Sequence, residues 1–156
     1  MIIGVLSDTH SYLHPNLLPV FKEAGVEQIL HAGDVGAYGI LRELGRLAPV
    51  TAVCGNVDVS GNVALLPAEV RLELGGVTIY MTHIGGKPFA WYPQLHEPKP
   101  AVAICGHSHI PLLERERETL FLNPGSAGIH TRFGAPLSAA ILRVSEGEAE
   151  AAIITL

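Results

Sequence analysis

The first third of the chain alternates short apolar runs with segments whose apolar residues recur at helical spacing. Residues 1–7 are apolar almost without interruption and too few for a free-standing helix, which predicts a buried strand. The same pattern predicts two more strands, over residues 27–31 and 50–54, and two helices, over residues 16–25 and 40–48. Asn16 is a suitable N-cap for the first helix. Because strands and helices alternate, we expect a parallel sheet with right-handed crossovers and a ligand crevice at the carboxyl ends of its strands.

The second half is dominated by strand patterns. Residues 70–74 alternate apolar and charged positions, Gly75 and Gly76 form a two-residue turn, and residues 77–82 run back, which predicts a hairpin. Further strands are predicted over residues 101–105, 112–117, 119–122, 139–144 and 149–155, with a second hairpin turn at residues 146–148. Residues 85–100 form a loop with four prolines, whose aromatic residues Phe89, Trp91 and Tyr92 either wall a substrate site or pack the loop.

Length, charge and cysteine content narrow the class of protein. A chain of 156 residues has the size of one domain, and we expect residues 1–156 to form one. The net charge of −5 and the lack of any long basic run exclude binding to bulk nucleic acid. No apolar run reaches the roughly 20 residues that span a bilayer, no basic leader precedes the first one, and two cysteines make no disulfide framework. We therefore expect a cytoplasmic protein with no membrane partner, and the sequence leaves self-association open.

Polar side chains collect at the ends of five predicted strands. They are Asp8 and His10, Asp34, Asn56 and Asp58, His83, and His107 and His109. In an extended segment residues two apart point the same way, so we expect Asp8 with His10, and His107 with His109, to present paired side chains to one spot. Random placement would not gather these groups at the one edge that the topology marks as a ligand crevice.

The chemistry of this set is that of a transition-metal site. Carboxylate, amide and imidazole ligands without a thiolate suit Mn, Fe, Zn, Co or Ni and suit Ca or a structural zinc poorly. Seven ligands are more than one such ion takes from protein, whereas two ions that share a carboxylate would use them all. Asp34 is the expected bridge.

The motifs resemble those of the calcineurin-like metallophosphoesterase family. They are DTH at 8–10, GD at 33–34, GNVD at 55–58, His83 and GHSH at 106–109, and NPGS at 123–126 resembles the small prokaryotic phosphodiesterase branch. The resemblance implies an α/β fold of four layers, with two mixed sheets between helices. It also implies that Asp8, His10, Asp34 and His109 hold one metal ion, and that Asp34, Asn56, His83 and His107 hold the other. By the same resemblance Asn56, Asp34 and His107 are the catalytic residues, and Mn is the first choice of metal.

Two positions depart from the family pattern. Many larger members carry a histidine after the asparagine and use it to protonate the leaving group, whereas this chain has Val57. Asp58 matches the acidic residue that follows, and without an imidazole to orient we expect it to hold a loop. Ile84 and Gly85 follow His83, where some relatives have glycine and a second histidine.

The remaining histidines and the NPGS segment have simpler interpretations. We interpret His31 as a packing or supporting residue rather than a ligand, and His14, His96 and His130 as surface or core residues. The NPGS segment is interpreted as a tight turn.

The ligand set thus predicts a dinuclear phosphoesterase, and the resemblance to the small branch implies that it cleaves a small phosphodiester. A hydroxide between the two ions attacks phosphorus in line, and the ions and Asn56 stabilise the charge on the phosphoryl oxygens. The alternatives are a phosphomonoesterase and a catalytically weak protein-binding module, since the resemblance extends to a retromer subunit with this fold. A nuclease is disfavoured because the chain has neither a basic face nor a capping domain.

Overall fold

Ten strands form two five-stranded sheets in the computed structural model, which describes residues 1–156. The strands are β1 (Ile2–Leu6), β2 (Gln28–His31), β3 (Val50–Ala52), β4 (Glu69–Leu74), β5 (Val77–Thr82), β6 (Val102–Ile104), β7 (Leu112–Glu116), β8 (Thr119–Asn123), β9 (Ser138–Ser145) and β10 (Glu148–Thr155). The helices are α1 (Leu17–Glu23), α2 (Gly39–Leu44) and α3 (Pro88–Trp91), with 3₁₀ turns at Gly61–Leu65 and Tyr92–Gln94.

Both sheets are mixed: the first has antiparallel strands on one side of its parallel strands, and the second has them on both sides. The first has the order β10-β9-β1-β2-β3, in which β1, β2 and β3 are parallel and β9 pairs antiparallel with β1. The second has the order β4-β5-β6-β8-β7, in which β5, β6 and β8 are parallel. Each sheet thus has three parallel strands, and hairpin strands extend it, at one edge of the first sheet and at both edges of the second.

Three apolar clusters define the layers. Alternate residues of the strands, such as Ile3 and Val5 of β1 and Ile79 of β5, join a cluster of 16 buried residues between the sheets. The other face of the first sheet packs on α1 and α2, and Gly4 lies so close to Phe21 that a Cβ there would be 2.5 Å from the ring. On the far side, α3 and the 3₁₀ turn after it cover the second sheet. The predicted four-layer α/β fold is confirmed.

The local predictions hold for the strands better than for the helices. Gly75 and Gly76 have φ of 58° and 77°, which the two-residue hairpin turn requires. Helix α2 ends at Leu44, four residues before the predicted end, because the chain passes into turns from Gly45. Asn16 occupies the N-cap position of α1, but its φ and ψ are helical and its side chain makes no capping bond, so the predicted cap is wrong.

This topology brings the predicted site residues to one edge of the molecule. The carboxyl ends of β1, β2 and β3 in one sheet lie beside those of β5 and β6 in the other, since Asp8 and His107 of the two halves are hydrogen-bonded across the gap. None of the helices is long and apolar enough to cross a bilayer.

Candidate metal centre

Four side chains gather where β1, β2 and β6 end. The ligand atoms of Asp8, His10, Asp34 and His109 all lie within 4.8 Å of one another. His109 Nε2 lies 3.2 Å from Asp8 Oδ1, and His10 Nε2 lies 3.3 Å from His109 Nε2 and 3.7 Å from Asp34 Oδ2. We name these four residues the first ligand group.

A second group lies beside it at the ends of β3, β5 and β6. Asn56 Oδ1 is 3.0 Å from His83 Nε2 and 2.9 Å from His107 Nδ1, and Asp34 Oδ1 is 3.3 Å from His83 Nε2. We name Asp34, Asn56, His83 and His107 the second ligand group. Asp34 belongs to both groups, with Oδ2 facing the first and Oδ1 facing the second.

The backbone conformation of the ligands is unusual. Asp8, His10, Asp34, His107 and His109 all have positive φ, between 46° and 66°. Residues other than glycine rarely adopt this left-handed region of φ. Where they do, the surrounding structure holds them there, often at functional sites. The cost in conformational energy is therefore concentrated at the residues that the sequence marks for chemistry.

These conformations contradict the expected side-chain alternation at one motif. His107 and His109 do not lie in an extended segment, and they do not present their rings to one spot: His107 joins the second ligand group and His109 the first. Asp8 and His10 do face the same group, although their backbone is not extended either. His107 and His109 therefore belong to different groups of candidate ligands.

Supporting residues fix the loops that carry the ligands. Asp58 is buried and accepts hydrogen bonds from the backbone N–H groups of Val35, Gly36 and Gly55, and so ties the loop after β2 to the loop after β3. This is the loop-holding role expected for Asp58.

His31 is fully buried and supports the same loop from the other side. The Thr9 hydroxyl donates to the Val35 carbonyl and accepts from His31 Nε2–H, while His31 Nδ1 accepts from the Gly33 N–H. This set of bonds needs a neutral ring, and burial lowers the pKa of His31 to about 4. His31 thus anchors the residue before Asp34 and is not part of either ligand group.

Two glycines permit the close approach of the ligand loops. A Cβ on Gly55 would lie 2.1 Å from Asp34 Oδ1, and one on Gly106 would lie 1.9 Å from Ser7 Oγ and 2.7 Å from Asp8 Oδ2. A side chain at either position would displace a ligand carboxylate or its neighbour, so the GNVD and GHSH motifs need glycine for steric reasons.

Protonation of the two carboxylates differs. Burial raises the pKa of Asp8 to about 6, and its Oδ1 is buried without a hydrogen-bond partner. Burial also raises the pKa of Asp34, but hydrogen bonds from His83 and from the Val57 amide outweigh it and hold that pKa below its usual range. A buried carboxylate oxygen without a hydrogen-bond partner costs free energy unless a cation binds to it. Asp8 Oδ1, surrounded by imidazole nitrogens, therefore fits a transition-metal ligand.

The surroundings shift the pKa values of the imidazoles in different directions. Burial lowers the pKa of His10, and burial with the nearby His10 ring lowers that of His109 to about 4, so both rings are neutral near pH 7. Burial opposes the charge of His83 as well, yet its bonds to Asp34 and to the Ala32 carbonyl raise its pKa overall. His83 Nδ1–H donates to Ala32 O over 2.7 Å, which turns Nε2 toward the second ligand group.

Several other residues are placed by the structure. Asn123 of the NPGS segment accepts from the Gly125 N–H and donates to Gly106 O and Ser108 Oγ, as a turn residue would. Trp91 and Tyr92 pack against the second sheet, whereas Phe89 is exposed.

His130 is the neighbour of the site that the sequence analysis missed. Its ring lies edge-on to that of His10 at 5.4 Å between centroids. No motif surrounds His130 in the sequence, so only the fold could place it there.

Curated relatives share most of this chain. A probable metallophosphoesterase of Methanocaldococcus jannaschii is 39% identical over 135 residues, which cover 81% of this chain and 68% of that protein. A probable metallophosphoesterase of Methanothermobacter thermautotrophicus is 34% identical over 163 residues, which cover 99% of this chain and 92% of that protein. A phosphodiesterase of M. jannaschii is 26% identical over 140 residues, with 80% and 83% covered.

Solved structures show the same fold at lower sequence identity. The structure of an archaeal phosphodiesterase superposes with a TM-score of 0.78 at 24% identity, covering 99% of this chain and 100% of the other. Vps29 of Chaetomium thermophilum superposes with a TM-score of 0.81 at 16% identity, covering 100% and 95%. The sequence model of the calcineurin-like phosphoesterase superfamily domain matches residues 1–147. With nearly the whole chain matched and with close curated relatives, this protein belongs to the calcineurin-like phosphoesterase superfamily.

Proposed function

We propose that this protein is a dinuclear metal-dependent phosphodiesterase that hydrolyses a small phosphodiester by in-line attack at phosphorus. The observation that carries the proposal is the position of Asp34 between two ligand groups, with one carboxylate oxygen toward His10 and the other toward His83. A phosphodiesterase among the curated relatives supports the choice of a diester.

Each ligand group offers enough donors for one divalent ion. Asp8, His10, Asp34 and His109 would hold the first ion, and Asp34, Asn56, His83 and His107 the second, with Mn as first choice and Fe, Zn, Ni and Co as alternatives. Two such ions, when bound, supply an activated water nucleophile and Lewis-acid stabilisation of the phosphoryl oxygens.

The protein's own residues orient the reaction. His83 keeps its Nε2 directed inward because Nδ1–H is fixed on the Ala32 carbonyl. Asn56 is exposed and His107 is half-buried, so both border the solvent from which substrate enters. From there the Asn56 amide and the His107 ring stabilise the charge that develops on the phosphoryl oxygens.

Metal content and substrate preference test this proposal together. Protein purified without chelator is expected to hold two ions per chain by elemental analysis. It should hydrolyse methyl 4-nitrophenyl phosphate faster than 4-nitrophenyl phosphate when loaded with Mn. A preference for the monoester would mean that the substrate is a phosphomonoester rather than a diester. Full activity with a single bound ion would contradict the dinuclear site.

A second candidate, a catalytically weak protein-binding module, has one observation in its favour. Val57, Val59 and Ile84 expose 41%, 78% and 58% of their surface near the second ligand group, and apolar exposure of this kind suits a protein partner. The fold shared with Vps29 agrees with this candidate. Metal-loaded protein without measurable hydrolysis of either nitrophenyl ester would favour it over the enzyme.

A further inference from the structure

Two cavities flank the second ligand group. The larger, of about 350 Å³, has His107 in its wall, and the smaller, of about 270 Å³, has Asn56 and His83 in its wall. The loop after β5 runs between them, since Ile84 lines the smaller cavity and Gly85 the larger. A phosphoryl group held at the second ligand group thus has room for one substituent on each side, as a diester requires.

The accessible walls of the larger cavity are mainly apolar. Gly85, Gly86 and Gly106 add no side chains to the wall, and Ile110 and Leu112 add branched apolar side chains. The volume is at the lower end of the range of about 300–1,000 Å³ for small-molecule sites. This space fits a ring-sized group rather than a polymer.

Two polar side chains in the wall of the larger cavity, Asn123 and Ser108, are already bonded within the protein. Asn123 Nδ2 donates to Gly106 O and Ser108 Oγ, and Asn123 Oδ1 accepts from the Gly125 N–H. Ser108 Oγ also accepts from the Ile110 N–H. A sugar or other polyhydroxylated substituent would find few free partners there, and its desolvation would be uncompensated.

Charge in the larger cavity favours a substituent attached to an anion. Lys87 is the one fully charged side chain in the lining, and no carboxylate lines the cavity. A cation in the lining stabilises a phosphodiester anion and interacts well with the face of an aromatic ring.

We propose that the larger cavity binds an aromatic arm of the phosphodiester and makes the enzyme selective for diesters that carry one. This inference rests on the proposed phosphodiesterase function. The aromatic ring lies between the glycine walls and Ile110, and the other arm of the diester occupies the smaller cavity.

Binding of two phosphonate esters to Mn-loaded protein tests the proposal. Methyl phenylphosphonate and methyl methylphosphonate carry the same charge and differ only in the ring. Calorimetry should give a dissociation constant at least about tenfold lower for the phenyl compound, since burying a phenyl ring is worth more than the 1.4 kcal/mol of a tenfold difference.

A matched pair of variants locates the preference. Ile110 and Leu113 expose 39% and 41% of their surface, but only Ile110 lines the cavity. Ile110→Trp should fill the cavity and reduce the phenyl preference to about threefold or less, while Leu113→Trp should keep it. Circular dichroism and elemental analysis report whether Ile110→Trp still folds and binds metal.

The outcomes separate this proposal from the proposed function. Equal binding of the two phosphonates by a protein that hydrolyses diesters would overturn the aromatic-arm cavity alone. An undiminished phenyl preference in Ile110→Trp would overturn it as well. Failure of the unmodified, metal-loaded protein both to bind either phosphonate and to hydrolyse a diester would overturn the proposed function and this inference with it.

Discussion

Asp34 is the residue on which the dinuclear proposal depends most. Asp34→Asn removes the one charge that both ligand groups share. We expect the variant to lose at least one ion per chain and to lose activity by more than about 100-fold, the upper end of the loss typical for groups that only support ligands. Elemental analysis and diester hydrolysis measure both effects, and near-native turnover would rule out a bridging role.

Asp58→Asn is the control for this experiment, because Asp58 accepts three backbone hydrogen bonds without joining either ligand group. Asparagine keeps one acceptor oxygen, so at least one amide loses its partner. The free energy of unfolding should fall by about 1–3 kcal/mol. Activity should fall much less than in Asp34→Asn.

Val57 determines how the leaving group departs. The Val57 side chain is 41% exposed but has no ionisable proton to donate. His31 is fully buried with both ring nitrogens hydrogen-bonded, so it cannot donate a proton to substrate either. Activated aryl diesters should therefore react much faster than alkyl diesters. Val57→His should restore part of the about 10²- to 10⁴-fold that a positioned acid contributes, mainly for alkyl groups.

The measurement for Val57 is the slope of log kcat against leaving-group pKa in both proteins, under conditions where chemistry limits the rate. A shallower slope in Val57→His is expected. A flat slope in the unmodified protein would mean that another residue already protonates the leaving group. Asp58 cannot orient the new ring freely, because its carboxylate is committed to three amides.

His31 makes the stability of the metal-free protein depend on pH. Its pKa is about 4 in the folded protein against 6.5 for the free side chain, because burial disfavours the charged ring. Between these values the unfolded chain binds a proton on this ring that the folded chain does not, so the contribution of His31 to stability falls as the pH drops from about 6.5 to about 4. The loss amounts to about 3 kcal/mol.

Urea unfolding at several pH values tests this dependence. His31→Gln should be less stable than the unmodified protein near neutral pH but should show a shallower loss below pH 6.5. His96→Gln, at an exposed position, should keep the full slope. Identical slopes in all three proteins would show that His31 is not the group responsible.

At the scale of elements, the sequence predicts strands more closely than it predicts the loops between them. An uninterrupted apolar run identifies β1 to within a residue at each end, since burial on both faces requires it. The predicted segment 27–31 also matches β2 to within a residue. The predicted helix α2 is too long at its C-terminal end, because Leu47 and Ala48 still pack on the same core after the helix has ended. The 3₁₀ turn Gly61–Leu65 is missed, because so short a segment has no period to detect.

Prediction of the site from the sequence has the same limit. Residue types at strand ends identify the seven candidate ligands, but the left-handed backbone at His107 and His109 decides which group each ring joins. Such φ values are imposed by tertiary contacts, and a pattern of alternation cannot contain them. His130 reaches His10 only through the chain path after β8, for the same reason.

The loop after β3 depends on Gly55 for its contact with the loop after β2. In Gly55→Ala the new Cβ would lie 2.1 Å from Asp34 Oδ1, so the bridging carboxylate must move. We expect loss of diester hydrolysis by about 10²-fold, which is typical of a misplacement of about 1 Å, together with weaker metal binding. The fold should persist, because Gly55 belongs to none of the apolar clusters.

Gly39→Ala is the matched control for Gly55→Ala. Its Cβ would meet only the Arg42 side chain, at 4.0 Å, at the start of α2. Alanine is the better helix former by about 1 kcal/mol, so stability should stay equal or rise and activity should not change. Full activity in Gly55→Ala would show that the two loops can separate without loss of the site.

The whole molecule supplies enough buried apolar surface to fold without its metal ions. The 16 buried residues between the sheets and the 15 beneath α1 and α2 form two clusters on the two faces of the first sheet, whereas the candidate ligands lie at one edge. We therefore expect chelator-treated protein to unfold cooperatively, with metal acting as a ligand of the folded state. At a free metal concentration 100-fold above the dissociation constant the stabilisation is about 2.7 kcal/mol, or about 5–10 °C in Tm for a chain of this size.

His107→Ala separates the contribution of one ion from that of the fold. His107 is half-buried and contacts Asn56 at the solvent side, so its removal should cost one metal per chain and leave the metal-free Tm nearly unchanged. Calorimetry with and without metal should then give a smaller Tm shift for His107→Ala than for the unmodified protein. If chelation abolished the cooperative transition instead, the metal ions would be structural, and the loss of activity in ligand variants would no longer report on catalysis.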